Sequence, residues 1–338
     1  MPLPVFGTGI VPSQSPLGDE LNAVTRRGFI PQMVVQIYNA SPTIAALFAN
    51  YQSASGGVSS ISLPVQGLPF VTTQTTGYSG SFNQPQTQQG AFLGQFNLKL
   101  MVTPIPFLGM EGALQMDHTI IPLVEARMND ATNSGMDFLG TALFNNTTDT
   151  SNIIGLPGAV DDGTNLVTYG SINRTTNTWW KAKVYAAGSV NPTRALVMQF
   201  ITGVVKSCGE MPTMGVMGPG TWQLLANDYL GVENFRVVPG TGFDKEPDGA
   251  RSAFQAVSVA GVPIYLDAYC PEGTLYLLNT NYLNLYVHQS AAFSFTGFYS
   301  LVPNSQIGYQ GAVLTILELV HAKPKATARV GGFNSLTI

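Results

Sequence analysis

Between Arg27 and Lys99 the chain has no acidic, basic or imidazole side chain: residues 28–98, 71 consecutive positions, hold no Asp, Glu, Lys, Arg or His. A soluble domain usually carries about a quarter of its residues as charged types. An exposed surface relies on them for solubility and against edge-to-edge association. This chain carries 10% overall and none in that run. Three arrangements could hold such a run: a membrane span, a disordered linker, or a surface covered by another protein. A helical span needs about 20 mainly apolar residues, yet pieces such as Met33 to Val35 and Ile44 to Phe48 are broken by Gln, Asn, Ser, Thr and Pro. Disorder goes with low hydrophobicity and high net charge. Thr72 to Gln89 is a Thr, Gln, Gly and Ser run, but its flanks Val58 to Val71 and Ala91 to Val102 are rich in Val, Ile, Leu and Phe. Surface that meets neighbouring subunits is the favoured reading.

The 338 residues suffice for one large or two medium domains with a substantial core. With 36 Gly and 22 Pro, turns and strands are favoured over a helical bundle. A net charge of −4 gives no strong attraction to nucleic acid or anionic membrane. Cys208 and Cys270 could form one bridge in principle, but no disulfide framework is visible and free buried thiols are the favoured reading. The N-terminus has no basic region followed by an apolar one, so no secretory signal is expected and a reducing cytoplasm is.

Along the chain, residues 1–28 read as an extended arm with one helical turn near Asp19 to Val24. Two short helices follow within residues 30–50, with Pro31 and Pro42 near their starts and Ser41 as N-cap of the second. From 57 to 107 two apolar arms around a polar tip predict one long β-hairpin, and a lone hairpin is marginal in water. Glu111 to Asn145 carries the strongest helical pattern: Ile120, Val124, Met128, Ala131, Gly135, Phe138 or Leu139, and Ala142. Glu111 and Asp117 suit its positive end, and Pro122 either sits in the first turn or kinks it. A second helix is expected from Asn191, with Pro192 first and Gly209 just past its end. A helix is predicted at Pro219 to Leu230. Strands are predicted at Met214 to Met217, Phe235 to Val238, Phe254 to Val259, Pro263 to Leu266, Leu275 to Asn279, Leu283 to Val287 and within Ala292 to Val320, before a short basic end at Lys323 to Arg329. Helices and strands mix without a βαβ rhythm, which argues for α+β.

Searches for chemistry come back mostly empty. No phosphate-binding glycine loop, dinucleotide fingerprint or nucleophile elbow is present, so no catalytic or cofactor-binding residue is assigned. His118, His288 and His321 lie far apart without ligand spacing, so no metal site is assigned, and each reads as a surface or interface residue. Asp244, Glu246, Asp248 and Gly249 imitate the opening of a calcium loop, but Gln255 stands where the closing glutamate belongs and Pro247 interrupts it. Arg26-Arg27 and the tail Lys323, Lys325 and Arg329 are small basic clusters that could touch phosphate or simply be solvated. For Trp179-Trp180, one ring packed inward and one against another element is expected rather than a stacking platform.

The stretch Gly155 to Val184 resembles a motif of tailed-bacteriophage major capsid proteins: Gly155-Leu156, a turn, Tyr169-Gly170-Ser171-Ile172-x-Arg174, then Thr178-Trp179-Trp180-Lys181. Asn191-Pro192-Thr193, the Gly261 to Asp267 segment and Leu275 to Leu283 follow in that family's order. The resemblance covers about residues 30–325. It implies the Hong Kong 97 coat-protein fold: an N-terminal arm (1–56), an extended hairpin loop (57–107), a peripheral domain with a long spine helix (108–185), an axial domain (186–280), and returning strands with a C-terminal tail (281–338). Such a fold lays its hairpin across an adjacent subunit, which assigns Val65, Phe70, Phe82, Phe92, Phe96 and Lys99 to intersubunit contacts. Arg26 and Arg27 are assigned to the interior, facing packaged double-stranded DNA through weak non-specific contact.

The implied partners are copies of the same chain in pentamers and hexamers, a separate scaffolding protein and a portal during assembly. A decoration protein is left open, and no membrane is implied. The implied location is the virion, assembled in the host cytoplasm. Some members of the family cross-link through a hairpin lysine and an asparagine. Here the hairpin has no lysine before Lys99, so a shell without covalent cross-links is expected. Some carry a fused scaffold ahead of the arm; with the hairpin starting near residue 57, a separate scaffold or an already processed chain is expected. The competing readings are an encapsulin-like nanocompartment, a hydrolase with a Ser or Cys nucleophile, and a β-rich fibre or glycan-binding protein.

Overall fold

The structure, a computed structural model, describes residues 41–55, 57, 59–67, 75, 78, 80, 90–108, 120–145, 152–229, 256–300 and 308–337. The first helix, α1 (Pro42–Ala49), starts as its residues dictate: the Ser41 hydroxyl accepts from the Ile44 N–H at 3.1 Å and Pro42 fills the first position. Ile44, Ala46, Leu47 and Phe48 are buried in the chain's own core. For this part of the charge-free run, ordinary intramolecular burial accounts for the absence of charge. The Pro31 helix and the turn near Asp19 lie outside the described residues.

In chain order there follow β1 (Gln52–Ala54), β2 (Ser60–Gln66), β3 (Ala91–Asn97), β4 (Lys99–Leu108) and the spine helix α2 (Ile120–Asn145). Next come the short α3 (Leu156–Ala159), β5 (Thr168–Tyr169), β6 (Ile172–Asn173), β7 (Lys183–Val190), α4 (Arg194–Cys208), β8 (Met214–Met217) and α5 (Pro219–Tyr229). The rest is strands, with 3-10 turns at Gln289–Ala291 and Pro324–Ala326: β9 (Ala256–Val259), β10 (Val262–Leu266), β11 (Leu275–Leu278), β12 (Leu283–His288), β13 (Ser294–Phe295), β14 (Tyr299–Ser300), β15 (Gly308–His321) and β16 (Ala328–Phe333).

Two six-stranded sheets organise the chain. One runs β1-β12-β15-β13, with β4 and β14 also paired to the long β15; the other runs β7-β16-β11-β8-β10-β9. At its base the predicted hairpin is thus shorter than its pattern. β2 and β3 pair from Ser60↔Asn97 to Gln66↔Ala91, while the rest of the second arm, from Lys99, leaves to pair with β15. The chain's end also differs from a tail: β16 lies between β7 and β11 in the second sheet, with Ala328 and Val330 fully buried.

The spine helix spans 26 residues, about 39 Å at 1.5 Å per residue. Met128, Ala131, Leu139, Ala142 and Leu143 are its buried stripe, and Phe138 is the exposed neighbour that the periodicity left open. Gly140 lets the Tyr269 ring lie on the helix, since a Cβ there would stand 2.5 Å from the ring, and the Tyr269 hydroxyl donates to Asp137 at 2.8 Å. Helix α4 is capped by Thr193, whose hydroxyl accepts from Leu196 N–H, and ends at Gly209 with φ +77°. Its start is two residues later than Pro192 suggested, because the hydroxyl rather than the proline sets the first turn.

Candidate assembly surface

The hairpin has two unlike faces. Ile61, Leu63, Val65, Phe92 and Phe96 turn toward the chain's own core, whereas Ser62, Pro64, Gln66, Leu93, Gln95 and Asn97 face outward. This is the period of two that a half-buried strand requires. Phe96 packs edge-on against Tyr169 with centroids 5.1 Å apart, and Phe92 lies 5.1 Å from Trp179. Gly170, at φ +59°, presses so close to Phe96 that any Cβ would overlap the ring. With Ser171 at φ +63° it makes the two-residue turn between β5 and β6. The backbone joins as well, Gln95 N–H donating to Gly170 O at 3.0 Å.

The segment that carries the double tryptophan is a structural hub. Trp179 and Trp180 sit in one 3-10 turn rather than a strand. Trp180 points inward, its indole N–H donating to Tyr169 O at 2.9 Å, while Trp179 takes the hairpin. Arg174 is fully buried and donates to the carbonyls of Gly158, Ala159, Leu166 and Trp180. Its guanidinium stands 3.8 Å from Asp161 and 4.8 Å from the Tyr169 centroid. Asp161 in turn accepts the N–H groups of Gly163, Asn165 and Leu166. Burial lowers the Arg174 pKa, opposed by Tyr169 and Asp161. What reads in sequence as a family signature is, physically, the socket into which the hairpin root is set.

Past the hairpin root the outward row continues along β4. Met101, Thr103 and Ile105 are buried, while Leu100, Val102, Pro104 and Pro106 are exposed, Leu100 at 57% and Val102 at 48%. On β3, in the separate two-stranded hairpin sheet, Leu93 is likewise exposed, at 54%. β4 is also an edge, since its second side has no partner strand among the described residues. Pro104 pairs with Ala312 and Pro106 with Gln310 in antiparallel register. Proline lacks an N–H, so both must occupy positions whose nitrogen faces away from β15. The open edge therefore lacks donors at 104 and 106 and can accept an added strand only near Leu100 and Val102. Contact along the rest of β4 must be made by side-chain faces.

Two buried acids anchor this frame. Asp267, fully buried, accepts from the Thr43 hydroxyl at 2.6 Å and from its N–H, tying the start of α1 to the second sheet. Glu318 on β15 accepts from Ile154 N–H at 3.1 Å, and its Oε2 has no partner among the described residues. Burial pushes its pKa from 4.5 up to about 8, against a smaller lowering by the Ile154 N–H and Lys99. The folded subunit keeps this proton to about pH 8, whereas the unfolded chain releases it near 4.5. Folding therefore takes up a proton between those values. The stabilisation is full below the window and lost as pH rises through it, by up to about 1.4 kcal/mol per pH unit. Glu318→Gln should flatten this dependence; thermal melts from pH 5 to pH 8 that slope equally in both proteins would count against it.

Of the residues assigned to intersubunit contact, Val65, Phe92 and Phe96 sit on the inward face, and Lys99 opens β4 opposite Leu317. Phe70, Phe82, Arg26 and Arg27 lie outside the described residues, as do His118, the Phe235 to Val238 strand and the Asp244 to Gly249 loop. His288 and His321, read from sequence as surface or interface residues, are buried within the chain itself. Desolvation holds His321 neutral by lowering its pKa to about 3. Cys208 and Cys270 are free thiols, and burial raises the Cys270 pKa well above the ordinary value. Among the described residues no cluster of His, Cys, Asp and Glu could hold a metal ion, and no helix is long and apolar enough to cross a membrane. Leu100 and Val102 were missed as contact candidates, although alternation against Met101 and Thr103 marks them.

No protein-family model matches the chain, and no curated protein does. Solved structures do. The cyanophage A-1(L) capsid asymmetric unit superposes with a TM-score of 0.59 at 16% identity, covering 86% of this chain and 92% of that one. The capsid of the empty GTA particle gives 0.53 at 10% identity, over 87% and 96%. The holo-SrpI encapsulin complex from Synechococcus elongatus PCC 7942 gives 0.52 at 11% identity, over 99% and 95%. At such identities the likeness is one of fold. The chain has the mixed α and β architecture of phage capsid proteins, as the double-tryptophan segment implied.

Proposed function

We propose that the chain is the major capsid protein of a tailed bacteriophage. In this reading its copies form the pentamers and hexamers of an icosahedral head that encloses double-stranded DNA and is held without covalent cross-links. The observation that carries this reading is the superposition on the cyanophage capsid structure over 86% of this chain and 92% of that one. The uncharged outward row of Leu93, Leu100, Val102 and the two prolines agrees with it, because a side-chain face of that kind is stable when a neighbour covers it. Residues 1–56 are then the arm, 57–107 the extended loop, 108–185 the peripheral domain and 186–280 the axial domain. The returning strands follow, with β16 rejoining the axial sheet. A separate scaffolding protein and a portal belong to assembly in the host cytoplasm, and the shell is non-enzymatic.

The encapsulin match, spanning 99% of this chain, favours one second reading, a cellular compartment that encloses protein. Electron microscopy of particles formed with and without a candidate scaffold, together with their absorbance ratio, separates the two. Closed shells filled with DNA are expected, protein-filled shells would favour the compartment, and material that stays monomeric under both conditions would overturn both. On an unboiled denaturing gel a ladder of multimers would contradict the absence of cross-links.

A further inference from the structure

The chain has seven lysines, and the fold gathers five of them, Lys181, Lys183, Lys206, Lys323 and Lys325, at one junction between the two sheets. Backbone contacts fix the gathering. The Ser207 hydroxyl, one residue from Lys206, donates to the Lys325 carbonyl at 3.0 Å. Lys183 N–H donates to Thr327 O at 3.2 Å, and the turn that ends at Trp180, just before Lys181, packs on the Pro324–Ala326 turn. Lys323 is occupied: it lies 2.7 Å from Glu210 and over the Tyr282 ring. Lys183, Lys206 and Lys325 make no ion pair with a described residue, and Lys181 has only an attraction to Asp162.

We infer that this junction is a polyanion-binding face whose ligand is the phosphate backbone of nucleic acid. Lys183 and Lys206 are exposed and Lys181 and Lys325 half-exposed, so four lysines on elements that the backbone contacts hold together are open to solvent in a chain whose net charge is −4. Concentrating cations against that overall balance is unnecessary for solubility. Lysine acts on phosphate as a point charge and needs no fixed geometry, which suits contact with a backbone of any sequence. Protein interfaces, by contrast, are depleted of lysine at their cores. The patch draws on residues that are scattered in sequence, so of its five lysines a search for basic clusters finds only Lys323 and Lys325. The inference rests on the shell reading for its setting, since it marks this junction as turned toward the packaged DNA.

The test uses the full chain and a short labelled DNA duplex of arbitrary sequence. With three to four phosphate contacts, affinity should fall on the order of 100-fold between about 50 and about 200 mM salt. The triple variant Lys183→Gln, Lys206→Gln, Lys325→Gln should bind roughly tenfold or more weakly at the lower salt and lose most of that salt slope. The same three positions changed to Arg should retain both. A Gln variant whose DNA affinity and slope match the parent would overturn the proposal. So would preferential binding of polyglutamate over DNA, which would point to an acidic protein partner. Particle formation by the Gln variant is scored separately under the electron microscope: shells that form but bind DNA weakly support the patch, and loss of shells in the parent itself would strike the capsid reading instead.

Discussion

Replacing Arg174 by alanine should destabilise the isolated subunit by about 3 to 5 kcal/mol, the range found when one partner of a buried ion pair is removed. The carbonyls of Gly158, Leu166 and Trp180 lose their side-chain donor inside the fold, that of Ala159 is left with only the His321 Nδ1 at 3.5 Å, and Asp161 keeps only its backbone donors and Arg329 at 3.9 Å. Each orphaned buried group costs about 1 to 3 kcal/mol unless it relaxes to another partner. At roughly 2 °C or more per kcal/mol for a chain of this size, the melting temperature should fall by about 6 °C or more. Lysine should not rescue it, because three ammonium donors on one nitrogen cannot serve carbonyls spread around a planar fork. The hairpin root should loosen with it, since Tyr169 and Trp180 hold Phe96 and Trp179 in place. A melt within a degree or two of the parent would show that the carbonyls find other donors and that Arg174 does not hold this segment together.

How far such features are readable from the chain depends on whether their cause is local. Helix α1 is legible because Ser41 and Pro42 are adjacent and act within one turn. Helix α4 is legible to within two residues because Thr193 and Gly209 act locally too. β16 is not legible as a central strand. Lys323, Lys325 and Arg329 give the segment a basic, solvated look, and its partners β7 and β11 lie far away in sequence. The hairpin was overextended for a related reason: β3 and β4 are both apolar alternations, separated only by Leu98, and only the length of β15 tells where one sheet ends and another begins. His321 was misplaced because a lone histidine carries no signal of burial, whereas its position at the end of β15, under Ala159 and Tyr169, does. The same limit applies to the double tryptophan. Adjacent rings do face different elements, but through a 3-10 turn that strand alternation does not describe.

That division between local and non-local causes decides how the charge-free run should be tested. Phe92→Asp and Val65→Lys look from sequence like charges placed on a contact surface, but both side chains face the chain's own core. A buried unpaired charge there should cost the subunit several kcal/mol. They cannot separate assembly from folding. Leu93→Asp and Val102→Asp can, because both side chains are about half exposed and point away from that core. Surface substitutions of this kind usually move stability by no more than about 0.5 kcal/mol. In a shell, the same carboxylate would be carried into an apolar contact repeated at every copy, with no cation between residues 28 and 98 to pair with it. The double variant should therefore melt as the parent does while forming few or no closed particles, and each single variant should fall between. Particles at parental yield would sink the assembly role of this row, and the run would then be explained by burial of α1 and the inner hairpin face alone. Loss of both stability and particles would mean that Leu93 and Val102 support the subunit itself, leaving the outward polar positions Gln95 and Asn97 as the ones that meet a neighbour.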